Sequence, residues 1–452
     1  MDFILQLPIF QLAAENPLAF FLWVIEKGWV FLVIGFVFFG IPYGWLRYLR
    51  GKFDAKREFT LLALDIPRNT EQSPKAVESI FTHLSGVPSS PTFFDKWFRG
   101  VMPPSFSCEI VSMGGYIQLL IQTPTEFRDL VEAAVYAQYP DAEISEVEDY
   151  AEKARGLKFP HPQYEIWGTE FDLAKKQYYP IKTYPYFEHS LSQELKDPLS
   201  AILEAMSKIT PDEQIWLQLV ITPASDTWKS DGEVFVKRLV GEDVKAKKTF
   251  LDTVLDLPIY LLRALGDINL LLGTSSSSDK GDKKEFNKMN YLTPGQRGIV
   301  EKIEMKMSKI GFYSKFRMIY IARKEAFNPA RGIHSLVGAI KQLNTLDANA
   351  FKKNAKRTPN AQIFFPDMRN NKKKNRILRL YRTRARLLEP GYYGNVLNTE
   401  ELATIFHFPT REMKTPFLRK IESKKAEPPV SLPIDTEPDM PNLPIEEEGR
   451  IS

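Results

Sequence analysis

The stretch Gly28 to Leu46, GWVFLVIGFVFFGIPYGWL, runs for nineteen residues without a charged side chain, and no other feature restricts the fold as strongly. A hydrocarbon layer about 30 Å thick needs roughly 20 apolar residues of helix, because only a helix satisfies its own amides and carbonyls there. The apolar run Leu18 to Ile25 could extend the span, and Trp23, Trp29, Tyr43 and Trp45 suit the two interfaces of a bilayer. A buried core helix and a signal peptide are the alternatives. A signal peptide carries its positive charge before the apolar run, whereas here Asp2 and Glu15 precede it and Arg47, Arg50, Lys52, Lys56 and Arg57 follow. The expectation is a single-pass helix over 28–46 in the cytoplasmic (inner) membrane, with the N-terminus outside and the C-terminal domains cytoplasmic.

The rest of the chain has the composition of a globular body. Its 452 residues, 44% hydrophobic and 26% charged, suffice for two or three domains. The single Cys108 can close no intramolecular disulfide and build no cysteine metal site. A net charge of +4 names no partner.

From Arg57 onward the pattern changes to short alternating elements. Phe59 to Ile66 reads as a strand, and Pro74 to Leu84 as a helix with Ala76, Val77, Ile80, Phe81 and Leu84 on one stripe. Ser105 to Met113 and Tyr116 to Thr123 read as a hairpin turned at Gly114-Gly115. Thr123, Pro124 and Glu126 look like a helix start, and Ala142 to Val147 like a closing strand. Strand, helix, strand, strand, helix, strand is the ferredoxin-like order. A second pass follows: strand Tyr164 to Phe171, a helix opened by Asp197 and Pro198, strands Gln214 to Thr222 and Lys315 to Arg323, a helix opened by Asn328 and Pro329, and strand Ile377 to Leu388.

Between these elements, the apolar run Phe250 to Leu272 contains Asp252, Asp256, Arg263 and Asp267, which suit a core or partner-facing helix, or one lying on a membrane surface, better than a span. Gly273 to Lys288 is a linker by composition. The expected fold class is α+β: an N-terminal transmembrane helix, two ferredoxin-like (βαββαβ) units, the second with a long helical insertion, and a disordered Pro-rich tail. The boundaries fall at 1–57 for the anchor, 58–150 for the first unit, 160–410 for the second with its insertion at 224–311 and a basic loop at 347–376, and 422–452 for the tail.

No phosphate loop, G-x-G-x-x-G turn or H-E-x-x-H pair occurs, and the five histidines stand far apart. The sequence therefore points to a protein that is not an enzyme and has no cofactor. One concentration of charge stands out. Phe351 to Leu388 holds thirteen Lys or Arg residues against the single acid Asp367. Lys352, Lys353, Lys372, Lys373, Lys374, Arg376, Arg382, Arg384 and Arg386 are its candidate nucleic-acid contacts. Arg382, Arg384 and Arg386 alternate, so on a strand they would share one face. Such a face could grip phosphates, with Phe364, Phe365 or Tyr381 available for stacking. It suits anionic lipid as well, and a charged edge strand protected from aggregation is the plain structural reading.

Four segments carry a resemblance: LLALDIPRN near the start, LIQTPTEFRDLVEAAVYAQYPDAEISEVEDY, VLNTEELATIFHFP, and TPFLRKIESKKAEPP near the end. With the N-terminal apolar helix, they resemble the membrane-anchored N-terminal half of type IV secretion or conjugative DNA-transfer proteins of candidate-phylum bacteria. There this half precedes a HerA-like or coupling-protein ATPase, whereas here the sequence contains no phosphate loop. The resemblance implies a structural or adaptor component, a platform for an ATPase that is a separate chain. It also implies the membrane, DNA and further copies of the same chain as partners. The helix opened by Asn398, with Glu400, Glu401 and Phe406, or the acidic tail, would be the dock for the ATPase. The alternative expectation is a nucleic-acid-binding module working through 352–386.

Overall fold

The computed structural model describes residues 29, 33, 35–67, 72–88, 91–187, 197–241, 293–385 and 394–409. The run Phe250 to Leu272, the linker after it and the Pro-rich tail lie outside these residues. The chain order is α1 (Ile41–Asp54), β1 (Phe59–Asp65), α2 (Pro74–Leu84), β2 (Phe106–Met113), β3 (Tyr116–Pro124), α3 (Arg128–Tyr136), β4 (Glu143–Glu146), β5 (Tyr164–Leu173), α4 (Ser200–Ser207) and β6 (Glu213–Pro223). It continues with α5 (Thr227–Val240), α6 (Pro294–Ser308), β7 (Gly311–Arg323), α7 (Ser335–Lys341), β8 (Phe351–Lys353), α8 (Pro366–Arg382), β9 (Asn395–Asn398) and α9 (Thr399–Ile405).

The α+β class is as expected, but the two ferredoxin-like units are not. All nine strands form one antiparallel sheet in the order β4-β1-β3-β2-β6-β7-β5-β8, with β9 also paired to β7. The reason is the join between halves. β2 and β6 pair from Phe106 opposite Ile221 to Met113 opposite Gln214, which leaves no sheet edge at which a first unit could end. A second departure lies at the end. The expected strand Ile377 to Leu388 is helical up to Arg382, because Pro366 opens a run of good helix formers whose apolar residues Ile377, Leu378 and Tyr381 fall on one side.

Both sheet faces are covered, which is why the central strands read as nearly continuous apolar runs. On one face Leu62, Phe106, Leu119, Leu217, Phe316 and Met318 pack with apolar residues of α2, α3, α4, α7 and α9. On the other, Leu61, Val111, Leu120, Trp216 and Ile319 pack against Tyr150, Ala151, Ala154 and the buried side of α8. The β2–β3 turn uses Gly114 and Gly115 at φ of 60° and 89°. A Cβ on Gly115 would lie 2.8 Å from the Ser207 carbonyl oxygen, so both the conformation and the space select glycine. The helix expected at Thr123 begins only at Arg128, because Thr123 and Pro124 complete the β3 pairing with Thr60 and Phe59.

The N-terminal expectation is corrected as well. The described part of the apolar stretch is helical at Trp29, Val33 and Gly35, then a π-helical turn, Phe36–Gly40, that runs into α1, which carries Arg47, Arg50, Lys52 and Asp54. Among the described residues no helix is long and apolar enough to cross a membrane. That finding overturns the single-pass anchor and the inner-membrane placement that rested on it; residues 28, 30–32 and 34 of the expected span lie outside the described residues. Instead α1 lies against the turn Asp95–Arg99, with Trp45 Nε1 donating to the Trp97 carbonyl at 3.3 Å.

Phe106 is fully buried in the larger core, edge-on to Phe127 at 6.4 Å between ring centroids. Phe106→Ala should cost about 3–5 kcal/mol in urea unfolding; a loss below about 1 kcal/mol would contradict this packing.

Candidate nucleic-acid interface

The basic region is positioned by a row of polar residues across the sheet. Glu109 of β2 stands opposite Gln218 of β6, Gln218 opposite Arg317 of β7, and Arg317 opposite Glu170 of β5. All four are buried. Strand alternation puts them on the face shared with Val111, Trp216 and Ile319, the face that α8 covers. Arg317 Nε donates to Glu170 Oε2 at 2.8 Å and Nη1 to Gln218 Oε1 at 2.8 Å, and Gln218 Nε2 donates to Glu109 Oε1 at 3.0 Å.

The row then reaches up to the end of α8. Gln218 Nε2 donates to the Tyr381 carbonyl at 3.1 Å, Arg317 Nη1 to that of Leu380 at 3.4 Å, and Arg317 Nη2 to that of Ala385. The Leu380 and Tyr381 carbonyls belong to the last turn of α8, where a cation also suits the helix dipole, and that of Ala385 lies just beyond it. Just beyond, Arg384 holds a φ of 41° and turns inward. Its Nε and Nη2 bond both Glu109 oxygens at 2.9 and 3.1 Å, and its remaining donors reach Asp149. Tyr150 donates to Glu109 Oε2 at 2.7 Å and meets the Tyr381 hydroxyl at 2.9 Å.

Electrostatics follow the geometry. For Glu170, burial disfavours the charge, yet Arg317, Lys315 and Arg357 outweigh it and hold the carboxyl below its ordinary value. For Arg384, burial is likewise outweighed by Glu109 and Asp149, which keep the guanidinium protonated far above the usual range. Burial first, and then the Glu109 charge, push the Tyr150 and Tyr381 hydroxyls well up, so both stay neutral.

The basic residues expected to act together are thus divided. Arg384 is interior, and Tyr381, expected as a stacking ring, is buried beside it. Arg382 ends α8 beside Glu152 at 3.6 Å, and Arg386 lies outside the described residues. Lys374 pairs with Glu165 at 2.6 Å. Lys373 donates to the carbonyls of Ala355 and Thr358 and to Asn360 Oδ1, all between 2.8 and 2.9 Å. Burial and the neighbouring Arg369 hold the Lys373 ammonium below its usual value. Lys352 and Lys353 are exposed on β8, and Lys372 and Arg376 on α8.

What the structure gathers is a different set. Arg369, Lys372, Arg376 and Arg379 are all exposed. At about 100° per residue they lie on the side of α8 opposite Ile377, Leu378 and Tyr381. The 3-4-3 spacing was present in the sequence and is the signal that a helical reading would have caught. Arg369 and Arg379 belong to the basic concentration without standing among its candidate contacts.

The segment expected to dock an ATPase is interior. Asn398 caps α9, its side chain accepting from the Glu401 amide at 2.8 Å while Glu401 Oε2 accepts from the Asn398 amide at 2.9 Å. Glu401 also pairs with the fully buried Lys306 at 2.9 Å, Glu400 pairs with Lys309, and Phe406 is buried. Among the described residues no group of three or more His, Cys, Asp or Glu side chains is arranged to hold a metal ion.

Residues 95–420 match a family described as a domain of unknown function (DUF8128). The chain belongs to that family. The match takes in β2 to β9, and with them the whole polar row and α8; α1, β1 and α2 precede it. No curated protein matches the chain.

Removing Arg317 strands Glu170 in the interior, so Arg317→Met should lower stability by about 3–5 kcal/mol. The pH dependence has a definite sign. Because the folded Glu170 value lies below the ordinary 4.5, its stabilisation is complete above that pH and is lost as pH falls through the lower folded value. Glu170→Gln should flatten the acid limb of the stability profile below about pH 4.5; an unchanged limb would contradict the assignment.

Proposed function

We propose that this chain binds nucleic acid through the exposed side of α8. The observation that carries the reading is the stripe Arg369, Lys372, Arg376 and Arg379. Ten residues of helix extend about 15 Å, which spans roughly four nucleotides of one strand at 3.4 Å each. Its neighbours along the stripe, 369–372, 372–376 and 376–379, are like-charge pairs at i,i+3 or i,i+4, each unfavourable by a few tenths of a kcal/mol. A solvated face needs no such arrangement, whereas a polyanion reverses the sign of every pair. Lys352, Lys353 and Lys356 add exposed charge on the segment that Lys373 ties to α8.

The wider role we infer is that of an adaptor in a DNA-transfer system that works with an ATPase. This rests on the resemblance of LLALDIPRN, VLNTEELATIFHFP and the segments between them to conjugative proteins. Since Asn398 to Phe406 serve the interior, such an ATPase would meet another surface.

Binding should weaken with salt, log K falling by about 0.7 (single strand) to 0.9 (duplex) per log unit of salt for each phosphate neutralised. Replacing Arg369, Lys372, Arg376 and Arg379 together by Gln should flatten that slope by about 3. Fluorescence anisotropy of a labelled oligonucleotide between about 50 and 200 mM salt reads this. An unchanged slope would sink the assignment to α8.

A further inference from the structure

We propose that the turn Ile363-Phe364-Phe365, at the start of α8, is a stacking platform for unpaired bases, so that the interface selects single-stranded over duplex nucleic acid. This deepens the nucleic-acid reading and rests on it. Ile363, Phe364 and Phe365 are 66, 80 and 75% exposed, and Met368 beside them is 67% exposed. Large apolar side chains at adjacent positions projecting this far lose the burial that normally stabilises them.

The projection is held by the fold. Phe364 and Phe365 both occupy the left-handed region, at φ of 50° and 54°, a conformation that crowds the Cβ of any residue but glycine. The turn is fastened on the inside of that bend. Asn370 grips Ala361 twice, accepting from its amide at 2.7 Å and donating to its carbonyl at 3.0 Å. Arg369 Nη1 donates to the Ile363 carbonyl at 2.8 Å, and Lys373 fixes the preceding turn through Thr358 and Asn360. The strain and the exposure therefore belong to one preorganised tip.

Charge names the occupant. The tip leads directly into the basic stripe, whose first member, Arg369, is the residue that holds Ile363. Single-stranded nucleic-acid sites combine a cationic track for the backbone with aromatic faces on which bases stack. Here the track follows the exposed side of α8 and the rings stand at one end of it. A duplex offers the same phosphates but keeps its bases stacked on each other, so the rings would gain nothing from it.

The test compares a labelled oligothymidylate with a mixed-sequence duplex of equal length on the full chain, by anisotropy at one salt concentration. Wild type should bind the single strand at least about tenfold more tightly. F364A/F365A should lower single-strand affinity about 10–100-fold, in line with the usual loss per stacked base, and abolish the preference. F364Y/F365Y should keep it, whereas F364L/F365L, with apolar bulk but no ring, should lose it. Thermal melts show that each variant is folded. If the Phe variants bind like wild type while the four Gln substitutions on α8 weaken both ligands, the platform is refuted and the basic face stands. If wild type binds neither ligand, the nucleic-acid reading fails as a whole. Binding to phosphatidylserine vesicles that survives in F364L/F365L, without any single-strand preference, would assign the tip to lipid and overturn the proposal.

Discussion

A row of polar groups crosses the middle of the sheet, and the end of α8 is arranged around it. Glu109, Gln218, Arg317 and Glu170 stand in one register line over four strands. Buried charges are tolerated only when paired and hydrogen-bonded, since an unpaired one costs several kcal/mol. The row therefore specifies register more strongly than the apolar residues around it. A one-residue slip of β7 would send Arg317 to the opposite face, among Phe106, Leu217 and Met318, and bring an apolar side chain to Glu170. The same logic explains how two sets of strands are held as one sheet. The β2–β6 pairing is crossed by the Gln218–Glu109 bond.

The row also decides which side of α8 meets water. Arg317 and Gln218 hold its last carbonyls, Arg384 folds under it, and Asn375 bonds the Phe159 backbone in both directions at 2.8 and 2.6 Å. With Ile377, Leu378 and Tyr381 facing the sheet, the helix has no freedom to rotate, and its cations are fixed outward. Charge that looks like one patch in the sequence is thus sorted into two jobs. Arg384, Lys373 and Lys374 are drawn into the fold, while Arg369, Lys372, Arg376 and Arg379 are exposed, Arg369 also holding the Ile363 carbonyl.

Much of the fold was legible because local signals and tertiary packing agree. The Ala76–Leu84 stripe, the Gly114-Gly115 turn and the Asn398–Glu401 capping box all occur where their residue types require. The failures have identifiable causes. Arg382, Arg384 and Arg386 alternate with period two, which mimics a strand and hid the 3.6-residue period that Pro366 begins. The joining of β2 to β6 depends on partners about a hundred residues apart and leaves no local trace. Glu109, Gln218 and Arg317 did leave one, each being a polar residue set among apolar residues of its strand, but their partners are set by register. At the N-terminus, apolar length, interfacial aromatics and the charges that follow suggested a span, whereas no described helix is long and apolar enough for one, and α1 carries Arg47, Arg50 and Lys52 within its own length.

The central claim is that the outward side of α8 and the tip before it form a nucleic-acid interface. Photo-crosslinking of the full chain to a 4-thiouridine- or 4-thiothymidine-substituted oligonucleotide, with mass spectrometric mapping of the attached residues, tests it most directly. The account predicts crosslinks concentrated within Ile363 to Arg379. Crosslinks elsewhere on the chain and none in this segment would contradict it.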